Sequence, residues 1–273
     1  MQFICTRKSP AAGGISFAGT FAFMYTLKKS LGQHFLKDEN ICRKIVGELG
    51  KHPFKNLLEV GPGGGALTKY LIEIPDISFK AVELDDEKVL FLQKTYPQLQ
   101  GKIIHKSFLE IDQPFEGNFT VIGNFPYNIS TQILFKILEW PGAVDCVIGM
   151  FQKEVAQRVA AKEGSKVYGV TSVLIQAFYD VIYLFDVHQN SFNPPPKVMS
   201  GVIKLLPVQE PLELKSRGAF FSLVKAAFGQ RRKTLRNACK SLFSDEALAD
   251  VIFNKRAEQL SVKEFAQLTF KMK

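Results

Sequence analysis

Cysteine is scarce in this sequence, and what there is lies scattered. Cys5, Cys42, Cys146 and Cys239 form no CxxC pair and no cluster with histidine. That spacing excludes a disulfide-stapled scaffold and a zinc site, so no metal is expected. It fits a reducing compartment, and the expected location is the cytoplasm. No apolar run approaches the ~20 residues of a membrane-spanning helix, so no membrane association is expected. There is no internal repeat and no low-complexity tract. Acidic residues are missing from two places. Residues 1–23, rich in Ala, Gly and Ser, contain none. They read as a disordered extension with Met24 as an alternative start, or as a leader, since leaders are acid-poor. The stretch Leu214–Ser244 also contains no Asp or Glu.

What is present describes a folded, basic protein. The chain has 273 residues, 46% of them apolar. That is enough for one large domain, or for one domain plus a smaller one. The net charge is +9 and the pI is near 9.3. A basic surplus points to a polyanionic partner, nucleic acid or membrane surface, without choosing between them.

From Leu57 onward, strand-like and helix-like segments alternate. "LLEVG", "FKAVELD", "GKIIHKSF", "FTVIGNF" and "DCVIGMF" read as strands. "ALTKYLIEI", "DEKVLFLQKTY" and "STQILFKILEW" have helical apolar spacing, as do 152–162 and 168–179. This alternation predicts βαβ units and a parallel sheet with helices on both faces. "DVIYLFDV" and "VMSGVIKLL" read as two late strands, joined by a link whose proline triple is stiff and extended. After Pro207 the composition turns basic and helical. Lys215, Arg217, Lys225, Arg231, Arg232, Lys233, Arg236 and Lys240 fall in the acid-free stretch. A small helical second domain is expected there.

"LLEVGPGGGALT" places Gly61, Gly63, Gly64 and Gly65 between a first strand and a first helix. Glycines let a backbone turn tightly and approach a ligand at a helix N-terminus, although a plain tight turn needs them too. No Lys-Ser/Thr follows, so this is not a phosphate loop. Glu59 lies inside the strand end, where an acid is unusual. Glu83 ends the second strand about twenty residues on, where doubly wound folds hold ribose hydroxyls. The pair predicts an adenosine-containing cofactor and no more; a solvated acid at a strand end is the plainer reading of Glu83. Asp85 and Asp86 read as caps of the next helix.

"TVIGNFPYNIST" begins as a strand, and Pro126 then forbids a ladder donor. A turn needs Gly, Asn or Pro, but not two aromatic rings as well. Asn124 falls on the carboxyl edge, where open α/β sheets bind ligands. An exocyclic base amine would use such a set. Its lone pair is delocalised into the ring, so it is a poor nucleophile. An amide oxygen and a backbone carbonyl that accept its two hydrogens help to localise that pair. A stacked ring holds the base in line with an electrophilic methyl. Asn124 Oδ1, the Pro126 carbonyl region and Tyr127 match these roles, with proline's fixed φ aiming the carbonyl. The work is positioning rather than covalent catalysis. No Pro-Cys pair exists for the thiolate route used on ring carbons.

With "LGQHFL", "EVGPGGGALT", "VELD", "NFPYNIS", "QKEVAQRV", "SFNPPPKV" and "AAFGQRRKTLRNA" in order, the sequence resembles the rRNA adenine N6,N6-dimethyltransferases of the small subunit. The resemblance runs from about Leu31 to Arg236. It implies a Rossmann-like, S-adenosylmethionine (SAM)-dependent methyltransferase domain over 24–207 and a helical RNA-binding domain over 208–273. It implies dimethylation at N6 of two adjacent adenosines near the 3′ end of small-subunit (16S) rRNA, by a monomer whose partner is the small ribosomal subunit. Gln33, His34 and Leu36 would contact SAM. Gly61 would lie against the methionine part, with Gly63 and Glu59 also in the cofactor site. Glu83 would hold the ribose, and Asn124 would bind the target amine and also border the cofactor. Tyr127 would stack on the target base and Phe192 would face it from the other side. Arg231, Arg232, Lys233 and Arg236 would grip the subunit.

Each residue also has a plainer reading: Phe192 as packing under the proline link, His34 as a helix-start residue, the basic run as a solvated face. One position departs from the family pattern. The usual acid after the third strand, at the adenine amine of SAM, is Ser107 in "HKSFLE". A hydroxyl accepts from an amine without charge. Two other readings remain: the related large-subunit rRNA methyltransferase of macrolide resistance, and a non-catalytic ribosome-assembly or RNA-binding factor.

Overall fold

A computed structural model describes residues 34–273. The extension at 1–23 and Gln33 lie outside the described residues. The chain forms β1 (Phe35–Leu36), α1 (Glu39–Gly47), β2 (Asn56–Val60), α2 (Thr68–Leu71), β3 (Ser78–Glu83), α3 (Asp86–Thr95), β4 (Ile103–His105), β5 (Phe119–Asn124), α4 (Ser130–Leu138), β6 (Val144–Gln152), α5 (Lys153–Val159) and α6 (Val170–Gln176). Then follow β7 (Tyr179–Val187), β8 (Phe192–Asn193), β9 (Ser200–Pro207), α7 (Arg217–Gly229), α8 (Leu235–Ala238), α9 (Asp245–Leu248) and α10 (Val262–Leu268).

The main sheet has the order β4-β3-β2-β5-β6-β9-β7. Strands β2 to β6 pair in parallel, which fits their near-continuous apolar runs buried on both faces. The expected parallel sheet is extended at one edge by the two late strands. There β9 runs antiparallel to β6, and β7 antiparallel to β9. No crossover helix joins β7 to β9, and without one two strands of a sheet return antiparallel. Three helices are shorter than the segments read for them: α5 keeps Lys153–Val159 of 152–162. α2 keeps only Thr68–Leu71, and α6 is confined to Val170–Gln176 before Tyr179 enters β7.

Side chains of each strand alternate between two apolar clusters. Leu58, Val60 and Val121 face one, with Ile133 and Ile137 of α4 and Leu174 of α6. Leu57, Ala81 and Ile122 face the other, with Ile45 of α1 and Leu92 of α3. The helical segment after Pro207 shares the first cluster through Phe220, Leu223 and Val224 of α7. Arg217 Nη2 donates to the Leu138 carbonyl at 2.6 Å, and Gly164 N–H to the Glu258 carbonyl at 2.7 Å. The segment is therefore seated on the sheet's own helices and does not close a separate core.

Candidate active site

The ends of β2, β3 and β5 meet at the carboxyl edge of the sheet, and a cavity opens there. Its lining includes His34, Leu36, Glu59, Gly61, Gly63, Glu83, Ser107, Asn124, Pro126 and Tyr127. Residues far apart in sequence meet because parallel strands all end on one side.

The glycine loop shows why glycine is required. Gly61 and Gly63 have φ of +68° and +55°, the left-handed region that other residues avoid. A Cβ on Gly63 would stand 3.3 Å from the Phe35 ring. Glu83 closes the loop from below. Its Oε2 accepts from Gly63 N–H at 3.0 Å, and its Oε1 from the N–H groups of Leu84 and Asp85 at 2.9 and 3.0 Å. The carboxylate is thus held by backbone donors, with acceptor capacity left over for hydroxyls. This is more than a solvated acid at a strand end: Glu83 is 8% exposed.

Glu59 is buried to 1% exposure and accepts from Thr68 Oγ1 at 2.7 Å. Burial pushes its pKa up to about 8; the Thr68 hydrogen bond opposes the shift and the Glu83 charge adds to it. At neutral pH it is mostly a neutral acid. Thr68 carries no signal of its own in the sequence, and only the fold brings it beneath Glu59.

Asn124 ends β5. Its Nδ2 donates to the His34 carbonyl at 3.1 Å, which leaves Oδ1 as the end for a ligand. The next residue is folded inward: Phe125 is 1% exposed and meets the Phe151 ring edge-on at 5.1 Å. Gly123 makes this possible, because a Cβ there would stand 2.7 Å from the Phe125 ring. The Pro126 carbonyl accepts from Ile129 N–H at 3.2 Å, closing the turn into α4. Its second lone pair is its remaining capacity. Tyr127 is half-buried, and its hydroxyl lies 2.5 Å from Ser200 Oγ. Burial raises its pKa, so the phenol keeps its proton.

β1 forms a strap beside the cavity. It pairs antiparallel with β8, Phe35 opposite Asn193 and Leu36 opposite Phe192. His34 Nδ1 is 2.9 Å from the Pro194 carbonyl, and its ring is 5.6 Å from that of Tyr127. His34 therefore lines the cavity and does not start a helix; α1 begins at Glu39, capped by Asp38. The expected role of Phe192 is corrected. Its ring is 1% exposed, belongs to the second apolar cluster and does not line the cavity, so it offers no face to a base. The strand pair with Leu36 turns it inward.

Ser107 lines the cavity, and its Oγ accepts from Leu109 N–H at 3.3 Å, capping a short 3-10 turn. Arg231, Arg232 and Lys233 are exposed in the turn between α7 and α8, and Arg236 is exposed on α8. None of them lines the cavity. Arg231 donates to the Lys166 carbonyl, which ties the helical segment to the loop before α6, and Arg236 donates to Asn254 Oδ1 at 3.0 Å within the segment. Among the described residues no cluster of His, Cys, Asp and Glu has a metal-binding arrangement, and no helix is long and apolar enough to cross a membrane.

A cavity with left-handed glycines, a backbone-held acid at the end of β3 and an amide oxygen at the end of β5 fits an adenosine cofactor beside an amine. Sequence comparisons bear on which one. The model of the family described as ribosomal RNA adenine dimethylase matches residues 24–272. The chain is similar to the ribosomal RNA small subunit methyltransferase A of Cytophaga hutchinsonii, 51% identical over 253 residues, 89% of this chain and 95% of that one. It is equally similar to the protein of the same name from Flavobacterium johnsoniae, 51% identical over 249 residues, 90% and 95% of the two chains. Among solved structures, a dimethyladenosine transferase from Plasmodium falciparum is similar with a TM-score of 0.71 at 24% identity, covering 86% of this chain and 96% of its own. The 23S rRNA methyltransferase ErmE reaches 0.61 at 22% identity, covering 85% and 99%. At those identities the likeness speaks for the Rossmann-like fold alone. The match over nearly the whole chain places this protein in the ribosomal RNA adenine dimethylase family.

Proposed function

We propose that this enzyme uses SAM to dimethylate N6 of two adjacent adenosines near the 3′ end of small-subunit rRNA, as a monomer acting in the cytoplasm during ribosome biogenesis. When bound, SAM supplies an electrophilic methyl group. The residues that would hold it are His34, Leu36, Gly61, Gly63 and Glu83, with Glu59 below them and Ser107 at the adenine end. The arrangement that carries the reading is Asn124. Its amide nitrogen is committed to the His34 carbonyl, so its oxygen is the acceptor for the target amine. The Pro126 carbonyl takes the amine's other hydrogen, and Tyr127 stacks on the base. These are positioning and charge-localising roles. The base reaches the cavity unstacked from its neighbours. Arg231, Arg232, Lys233 and Arg236 add contacts to RNA phosphates, which set orientation and salt-dependent affinity.

The names of the half-identical relatives favour the small subunit over the large one, and intact Asn124, Pro126 and Tyr127 favour an enzyme over a purely binding factor. Labelled methyl transfer to purified unmethylated small and large subunits tests the reading. Label should enter the small subunit only, and Asn124→Ala should abolish transfer while SAM still binds. Turnover retained by Asn124→Ala, or label confined to the large subunit, would defeat it.

A further inference from the structure

We infer that Ser200 is a positioning residue for the reaction: its buried hydroxyl fixes the plane of the Tyr127 ring. The inference rests on the reading of Tyr127 as the ring that stacks on the target base.

Tyr127 stands in a turn that holds its backbone and not its ring. Ser130 Oγ donates to the Tyr127 carbonyl at 3.2 Å, which leaves the side-chain torsions free to choose among rotamers. The phenol oxygen supplies the second anchor, 2.5 Å from Ser200 Oγ. Ser200 is fully buried and opens β9, which is hydrogen-bonded to a neighbouring strand on each side. It is paired in register with Gln152 of β6 on one side and Val187 of β7 on the other. The anchor point therefore belongs to the rigid sheet, and the loop residue is moored to it. The His34 ring flanks Tyr127 at 5.6 Å, tilted by 34°. A ring tied at its Cα and at its hydroxyl loses its freedom on folding and not on meeting RNA. A buried serine hydroxyl needs a partner, and here the partner is a residue of the site.

The test compares full-length Ser200→Ala, Ser200→Thr, Tyr127→Phe, Tyr127→Leu and the Ser200→Ala/Tyr127→Phe double variant. Steady-state methyl transfer to unmethylated small subunits is measured, with SAM affinity by calorimetry. Ser200→Ala and Tyr127→Phe should each lower kcat/KM for the subunit about tenfold, and the double variant no further, because both remove one bond. SAM affinity should stay unchanged, and Ser200→Thr should restore activity. Losses that multiply in the double variant, or SAM affinity that falls in step with turnover, would overturn the inference. Full activity in Ser200→Ala beside a dead Tyr127→Leu would overturn it while leaving the stacking reading intact. Full activity in Tyr127→Leu would sink the stacking reading itself, and the inference with it. If Ser200→Ala does not fold, Tyr127→Phe removes the same bond from the cavity side, and its full activity overturns the inference equally.

Discussion

Glu59→Gln should remove a pH dependence from the stability of this protein. The carboxyl is 1% exposed at the end of β2, and burial raises its pKa from 4.5 to about 8. The folded state therefore favours the protonated form. Below about pH 4.5 both folded and unfolded chains carry the proton, and its contribution is fully present. As pH rises toward 8 the unfolded chain releases the proton while the folded chain keeps it, so stability falls through that window. Above about 8 both are ionised and the loss is complete. At about 1.4 kcal/mol per pH unit the whole change is at most on the order of 5 kcal/mol. Glutamine keeps an acceptor for Thr68 Oγ1 and cannot ionise. Urea unfolding of wild type and variant, without added cofactor, from pH 5 to 9 reads the difference directly. The variant should gain relative to wild type across the window. His52, whose pKa is lowered chiefly by burial, adds a slope of the opposite sign, but it is common to both proteins and cancels. Parallel profiles would refute the reasoning.

Two further substitutions probe the cavity. Ser107→Asp puts a charge at the position proposed to meet the adenine and retains the cap on Leu109 N–H; one added hydrogen bond of about 1 kcal/mol should tighten SAM about fivefold in calorimetry. Unchanged or weaker binding would count against Ser107 as the missing contact. Gly123→Ala would set a Cβ 2.5 Å from the Val60 carbonyl oxygen and 2.7 Å from the Phe125 ring. Because the first neighbour is backbone of the adjacent interior strand β2, the loss should lie at or above the upper end of about 1–3 kcal/mol typical of overpacking. A loss under about 0.5 kcal/mol by chemical denaturation would show that the sheet yields there.

The order of strands and helices, the glycine loop, Glu83 and the Asn-Phe-Pro-Tyr turn were legible in the sequence. Each is a local pattern with a local cause: apolar periodicity, a need for positive φ, a turn that proline and asparagine favour. What the sequence left undecided depends on partners distant along the chain. Whether Phe192 faces a base or the core was open, and its pairing with Leu36 across β1 and β8 turned it into the core. The antiparallel edge of the sheet followed from the connection between β7 and β9, not from the strands themselves. Thr68 beneath Glu59, the His34 carbonyl on Asn124 and Ser200 on Tyr127 are separated by up to 90 residues. No periodicity records such pairs, because a hydrogen bond depends on position in space and not on spacing in the chain. Local pattern along the chain was enough to name the residues able to do the chemistry. The tertiary structure alone decided which atom of Asn124 faces a ligand and what holds the Tyr127 ring. Parallel strands bring their carboxyl ends to one edge, and only there do these groups meet.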